Sequence, residues 1–480
     1  MKTKICLVNP KLEGPYPPLG LAYIASYLRK YGKYSYNIII VDGNCENIYK
    51  AIETFKPQIV GFRALSNQIK DALLISNWLK EKYSDVFQII GGIHVSSDPI
   101  GTLSRGDFDI AALGEGEQTF CEIVDNYLAN GTTFDKNKIK GIVYIKNKKF
   151  ISTAPRTEIK NLDSIPYPAR DLLNMKHYLS HYLLIRGLIG NRIATLHTSR
   201  GCPFRCIFCS SNIIFKTARY TSADYVITEI KELVEKYNAK SLFFTDDTFI
   251  MNKKRVREIC NALIETKLSD KIKWEVQGRT ELVEDKDIEL FRLMKRAGCV
   301  QIDYGFESGS NRVLSMLKKA SANISQNIKA IQVTKKSGLH VVGTFMLGTI
   351  DESDDEIEET KQFILNNINE IDFFQVFITT PFPGTELYDI CQKRGIVEKN
   401  YIDQIEKETL NNDEVFIYSD TVSRRKVLET LSFLNRLGLN KVKNRYKLSW
   451  FIHNFIRSPR PTIGIIKNYL GERIQYPKIN

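Results

Sequence analysis

RIATLHTSRGCPFRCIFCSS, spanning Arg192 to Ser211, is the stretch on which the reading of the fold turns. RIATLHT is a short apolar and β-branched run of strand character, and Gly201 and Pro203 then shape a loop that carries Cys202, Cys206 and Cys209. A strand that feeds directly into a cysteine loop puts reactive groups at a strand's carboxyl end, where parallel α/β folds hold their chemistry.

Downstream, the pattern repeats. Strand-like runs SLFFTDD, KIKWEV, CVQIDYGFE, HVVGTFMLG and DFFQVFITT alternate with amphipathic stretches such as SADYVITEIKELVEKY and VEDKDIELFRLMKRAG. Six βα units over residues 191–410 predict a partial (β/α)6 barrel of the TIM type. Upstream, KICLV, NIIIV, QIVGF, FQIIGG and DIAALG alternate with helix-like segments, which predicts a doubly wound, Rossmann-like α/β domain over residues 1–135. Turn residues close its strands, and in an open parallel sheet those ends form the ligand crevice. Residues 136–190 read as a linker with a small hairpin, KGIVYIKNKKFIST, and residues 411–480 as a helical, basic segment.

The chain has 480 residues, 43% hydrophobic and 26% charged, in keeping with a globular protein of more than one domain. No run nears the roughly 18 to 20 apolar residues of a membrane span, and the N-terminus lacks a secretory pattern, so a cytoplasmic location is expected. The net charge of +13 is uneven: residues 421–480 hold 13 Lys and Arg against Glu429 and Glu472, so 13 − 2 = +11 lies in the tail. Six of the nine cysteines (Cys6, Cys45, Cys121, Cys260, Cys299, Cys391) are scattered singly, as small buried hydrophobes are in a reducing compartment.

Three readings compete for the clustered cysteines. Structural zinc needs a fourth ligand, which His197 or a distant cysteine would have to supply. A redox dithiol could use Cys206 and Cys209 alone. A 4Fe-4S cluster held by three thiolates leaves one iron open to a substrate or cofactor, and Arg200 and Arg205 favour thiolates and a net-negative cluster.

The CxxxCxxC spacing with Phe208 before the last cysteine resembles the radical S-adenosylmethionine (SAM) superfamily, in which that open iron is chelated by SAM. The resemblance covers about residues 191–395 and implies Cys202, Cys206 and Cys209 as cluster ligands. Later strand ends are similar too: FFTDDTF with Asp246 and Asp247, YGFESGS with Glu307 and Ser308, GTFMLGTIDES with Gly343 and Gly348, and TTPFPGTELY. Carboxylates suit an ammonium group and ribose hydroxyls, and glycines admit a flat base. Taken alone, Asp246 and Asp247 would be a solvated turn, Glu307 a helix-capping acid and the glycines ordinary turns.

The first domain resembles the cobalamin-binding domain of the B12-dependent branch of that superfamily. The resemblance implies a crevice lined by Pro18, Leu19, Gly20, Asp42, Leu65, Ser66, Gly91, Gly92, Gly114, Glu115, Gly116 and Glu117. The Asp-x-His-x-x-Gly motif of the best-known cobalamin domains is missing, and His94 is the nearest histidine, more simply a packing residue than a cobalt ligand.

The implied activity is methyl transfer to an unactivated carbon through a 5′-deoxyadenosyl radical and methylcobalamin, on a small-molecule or lipid-like substrate, with an external flavodoxin- or ferredoxin-type electron donor. Alternatives are a radical cyclase or rearrangement enzyme of the same family, and a transfer-RNA methylthiotransferase whose second cluster would use Cys6, Cys45 and Cys121. In the tail, Leu448, Phe451, Ile452 and Phe455 share a helical face flanked by Lys441, Lys443, Arg445, Lys447 and Arg457. That face suits packing on the barrel or peripheral contact with an anionic membrane better than nucleic acid.

Overall fold

The computed structural model describes residues 2–12, 14, 16–180, 184–185, 188–189, 191–397, 417–418 and 421–445. They fall into two compact units, the first within Met1–Met175, Thr198–Tyr225 and Thr380–Tyr418, the second within Lys176–His197, Val226–Thr379 and Ser419–Asn480. The basic stretch after residue 445, with Leu448, Phe451, Ile452 and Phe455, lies outside the described residues.

In the first unit β1 (Thr3–Asn9), β2 (Tyr36–Asp42), β3 (Ile59–Arg63), β4 (Phe87–Gly91) and β5 (Ile110–Ala112) are parallel, in the order β2-β1-β3-β4-β5. Ile5, Cys6, Leu7 and Val8 are all buried, because helices cover both faces and the strand becomes a continuous apolar run. The predicted hairpin forms as β6 (Ile142–Lys146) and β7 (Lys149–Ser152), and β6 pairs antiparallel with β5. The hairpin is thus the end of the first sheet. The chain after it packs on the same unit: Ile159, Leu162 and Ile165 cluster with Tyr23, and Tyr31 Oη donates to the Ser164 carbonyl at 2.7 Å. Burying those apolar side chains against the helix Leu19–Tyr31 turns a sequence that reads as connector into part of the core.

The second unit opens with the short pair β8 (Leu184–Ile185) and β9 (Leu188–Ile189), followed by β10 (Ile193–Leu196). The small strands β11 (Ser199–Arg200) and β12 (Arg219–Tyr220) come next and belong to the first unit. Then β13 (Ser241–Phe244), β14 (Lys273–Gly278), β15 (Cys299–Glu307), β16 (His340–Leu347) and β17 (Phe373–Ile378) join β10 in one parallel sheet, in sequential order. That is the order of the predicted six-stranded barrel.

One face of this sheet is apolar and meets helices: Phe306 and Phe345 pack on Phe363, Tyr304 bonds Thr334, and buried Trp274 donates from Nε1 to the Ala297 carbonyl at 2.8 Å. The other face carries Glu275, Gln301 and Asp303, joined by the Gln301 amide. The helix Arg424–Arg445 lies on β17, where the Asn435 amide bonds both the N–H and the carbonyl of Val376 at 3.3 Å. A side-chain amide here takes the place of a neighbouring strand.

Candidate functional site

The cysteine loop begins where β11 and β12 pair antiparallel at its base, setting Ser199 opposite Tyr220 and Arg200 opposite Arg219. Gly201 has φ +82°, and a Cβ there would lie 2.4 Å from the Thr217 carbonyl, so the turn into Cys202 requires glycine. Cys202 and Cys206 are buried and Cys209 partly so. Backbone bonds hold the loop: Cys209 N–H donates to the Cys206 carbonyl at 3.1 Å and Leu387 N–H to the Ile207 carbonyl at 2.9 Å. Glu158 accepts from the Lys216 and Thr217 N–H groups, and Arg205 reaches the Asn212 side chain at 2.5 Å. Phe208 is half-buried.

Arg200 and Arg219 leave this loop and enter a buried ion network. Arg200 Nη1 lies 2.7 Å from Glu115 Oε1 and its Nη2 lies 2.5 Å from Glu117 Oε1, while Arg219 Nη1 lies 3.0 Å from Glu115 Oε2. Burial pushes the Glu115 carboxyl up, but the two guanidinium groups outweigh it and hold the group below its ordinary range.

The other residues expected at the corrin crevice gather at the carboxyl ends of β1 to β5. Pro18, Leu19 and Gly20 open the helix after β1, and Asp42 ends β2, where its Oδ1 accepts from Asn9 Nδ2 at 3.0 Å. Leu65 and Ser66 follow β3, Gly91 ends β4 with Gly92 just after it, and Gly114 to Glu117 follow β5. Gly92, at φ +116°, would bring a Cβ within 2.5 Å of the Ala64 carbonyl, whereas a Cβ on Gly20 or Gly114 would meet nothing within 4 Å. His94 is 1% exposed, with Nδ1 3.1 Å from Ser66 Oγ, and burial lowers its pKa to about 4. A neutral imidazole held in this way packs against the β4 end of the sheet.

Apart from Phe208 in the cysteine loop and Gly343, the residues expected to hold SAM sit at strand ends of the second unit. Asp246 and Asp247 follow β13, and Thr245 bonds both His197 Nδ1 and the Leu196 carbonyl at 3.1 Å. Glu307 ends β15 at φ +62°, beside a register shift between Gly305 and Glu307. A non-glycine residue in that conformation next to a bulge is a common mark of a functional strand end. Ser308 bonds Thr360 Oγ1 at 3.0 Å, and Gly348, at φ +73°, donates to Glu352 Oε2 at 2.6 Å. Gly343 lies inside β16 instead, and the space its side chain would take holds the Phe306 ring, 2.7 Å from an added Cβ. Its glycine is needed for packing.

Comparison with known proteins agrees with this layout. The radical SAM superfamily profile matches residues 196–364 and the B12 binding domain profile residues 5–124. A Pyrococcus horikoshii protein, named only as an uncharacterised methyltransferase, is 36% identical over 401 residues, 80% of this chain and 82% of its own length. The chain belongs to the cobalamin-binding radical SAM enzymes. An anaerobic magnesium-protoporphyrin IX monomethyl ester cyclase of Cereibacter sphaeroides is 25% identical over 96% of this chain and 71% of its own. In fold, the cobalamin-dependent SAM radical enzyme OxsB, solved with aqua-cobalamin and SAM bound, superposes with a TM-score of 0.71 at 18% identity, over 98% of this chain and 75% of that one.

The residues present fit the groups that a cobalamin-binding radical SAM enzyme carries. Gly20 and Gly114 leave open space at the strand ends where a corrin would need close backbone approach. The loop brings three thiols, Cys202, Cys206 and Cys209, within eight residues, the donor set that a cluster with one iron left open would take. The cysteines of the methylthiotransferase alternative fit poorly: Cys6 lies within β1, and burial pushes the Cys121 thiol up to about 12.

Several polar residues escaped the sequence reading. Asn9 ties three strand ends together by bonding Asp42, Arg63 and Gln68. Arg279, just past β14, pairs with Glu281, and buried Lys318 donates to the Gly305 carbonyl at 2.7 Å, bracing the Glu307 turn. Arg279, in a GRTEL turn at a predicted strand end, carried the one signal that could have been found.

Proposed function

We propose that this enzyme is a cobalamin-dependent radical SAM methyltransferase that acts on an unactivated carbon of a small molecule. The observation that carries the reading is the occurrence, in one chain, of a three-cysteine loop after the first strand of a parallel six-stranded sheet and of a second parallel sheet whose strand ends are open at Gly20 and Gly114. When bound, the cluster with SAM supplies a one-electron route to a carbon radical, and the corrin supplies a transferable methyl group. The chain's part is to bind and orient. Cys202, Cys206 and Cys209 hold the cluster; Phe208, Asp246, Asp247, Glu307, Ser308 and Gly348 serve the SAM side, with carboxylates placed for an ammonium group and ribose hydroxyls. His94, with Nδ1 beside Ser66 Oγ, would serve the crevice as a packing residue rather than as a metal ligand.

The name of the Pyrococcus horikoshii relative favours methyl transfer, and the cyclase relative keeps radical ring closure as the second reading. An external one-electron donor of the flavodoxin or ferredoxin type is required in either case. The +11 charge of residues 421–480 suits contact with an anionic membrane, and co-sedimentation of the full chain with phosphatidylglycerol vesicles tests that part separately.

The main test is anaerobic reconstitution with iron, sulfide and hydroxocobalamin, followed by methyl-deuterated SAM and a reductant. About four irons per chain, a bound corrin spectrum, 5′-deoxyadenosine and deuterated methylcobalamin are expected. About eight irons would support the thiotransferase instead, and 5′-deoxyadenosine without any label on cobalamin would favour ring closure.

A further inference from the structure

Arg200 and Arg219 face each other across a two-residue antiparallel ribbon that closes the base of the cysteine loop. Two like charges directly opposite on paired strands repel, and here both side chains are more than nine-tenths buried, where water cannot screen them. What lies between them is Glu115. Its two oxygens go to different arginines, Oε1 to Arg200 at 2.7 Å and Oε2 to Arg219 at 3.0 Å, and Glu117 Oε1 takes the second arm of Arg200 at 2.5 Å. Both carboxylates are themselves 6% exposed. The outer side of Arg219 is completed by the Ile159 carbonyl at 2.7 Å and Glu158 at 3.4 Å, and Arg200 lies 5.6 Å over the Tyr23 ring.

We propose that Glu115 and Glu117 are positioning residues for the cysteine loop, closing it by neutralising the Arg200–Arg219 pair, and are not corrin ligands. Burying four charges carries a desolvation cost that an apolar core of equal volume would avoid, so such a network is better understood as fixing one arrangement than as adding stability. The arrangement it fixes joins the loop after β5, on the corrin side, to the ribbon strand that ends two residues before Cys202. Gly114 keeps its open face for the corrin while the next residues turn their carboxylates away to the cluster loop. The inference rests on the assignment of the cluster to Cys202, Cys206 and Cys209.

The experiment compares full-length wild type with Glu115→Gln, Arg200→Lys and the double variant Glu115→Gln/Arg219→Gln, reconstituted anaerobically with iron and sulfide. Release of iron to bathophenanthroline and spectral titration with hydroxocobalamin are both read. Glu115→Gln should lose iron roughly tenfold faster, because the opposed guanidinium groups then push the ribbon open, with cobalamin affinity within about twofold of wild type. Removing Arg219 as well should restore most of the retention, since the repulsion is gone. Arg200→Lys should also lose iron faster than wild type, because an ammonium group cannot span both carboxylates. Equal iron release in wild type and Glu115→Gln overturns the proposal; so does a roughly tenfold loss of cobalamin affinity with iron release unchanged, which would make Glu115 a corrin ligand. If wild type takes up no cluster, the assignment of the cysteines has failed. Amide exchange over residues 201–218 of the iron-free chain then decides the proposal, with faster exchange expected in Glu115→Gln and equal exchange overturning it.

Discussion

Cys206 and Cys121 carry the same thiol and differ in what surrounds it. Cys206 sits on a loop fixed by the Gly201 turn and by the Cys209 N–H bond to its carbonyl; Cys121 is packed on a helix beside Asp125, with its thiol pushed up to about 12 by burial. Cys206→Ala should abolish iron uptake and 5′-deoxyadenosine formation, whereas Cys121→Ala should leave about four irons per chain. Iron assay and product chromatography on the two variants check both halves. At this scale the cysteines were legible because their spacing is local. The Asn9, Asp42, Arg63 and Gln68 network was not, since its partners come from different strands. Glu115 and Glu117 were read as crevice residues, because their arginine partners lie some 80 to 100 positions onward in the chain. Gly343 was read as a cofactor glycine because a sequence cannot show that Phe306 fills its space.

The turn after β16 holds a buried acid of another kind. Glu352 Oε2 accepts from the Gly348 and Thr349 N–H groups, while Oε1 is buried without a hydrogen-bond partner. Burial raises its pKa to about 7, and the two N–H bonds only partly oppose this. The folded chain therefore binds the proton more tightly than the unfolded chain, and this contribution to stability falls as pH rises from the ordinary glutamate value of 4.5 toward 7. Wild type should lose on the order of 3 kcal/mol of unfolding free energy relative to Glu352→Gln across that window. Denaturant titrations at both ends of the window measure it.

Asp372, just before β17, marks the opposite end of the same sheet. It accepts from Lys335 Nζ and Val341 N–H at 2.9 Å and lies 3.0 Å from His340 Nδ1. Far from the strand ends that carry the chemistry, Asp372→Ala should cost about 2 kcal/mol of stability with 5′-deoxyadenosine formation intact. Thermal unfolding and turnover on one preparation test that pair of outcomes. The strands of the first sheet were legible as elements because burial on both faces makes unbroken apolar runs such as Ile5 to Val8. The pairing of the β6–β7 hairpin on β5 was not, because a hairpin's own alternation does not name its neighbour.

On the scale of the molecule, the two compact units interleave along the chain, and the first draws on three separate segments. A fragment ending at Met175 keeps the whole B12 binding match but loses Arg200 and Arg219, so Glu115 and Glu117, buried in the full chain, are left without their counter-charges. Breaking a buried pair in this way costs roughly 3–5 kcal/mol, so the fragment should melt well below the corresponding transition of the full chain. Circular dichroism melts of the two show this directly, and Glu115→Gln in the fragment should recover part of the loss. Domain boundaries drawn from strand rhythm alone miss this interleaving, because rhythm records order along the chain and not which segments touch.

The β6–β7 hairpin has a consequence beyond the chain itself. Without it, β5 would present a parallel edge of open amides, a template on which a strand of another molecule could form. With it, that side of the sheet ends in a short ribbon whose turn reads Lys146, Asn147, Lys148 and Lys149, with Asn147 and Lys148 at positive φ. Three lysines repel a second copy brought to the same edge, so side-by-side growth of the first sheet into larger aggregates is blocked there. Resistance to such growth should weaken in high salt, where the lysines are screened.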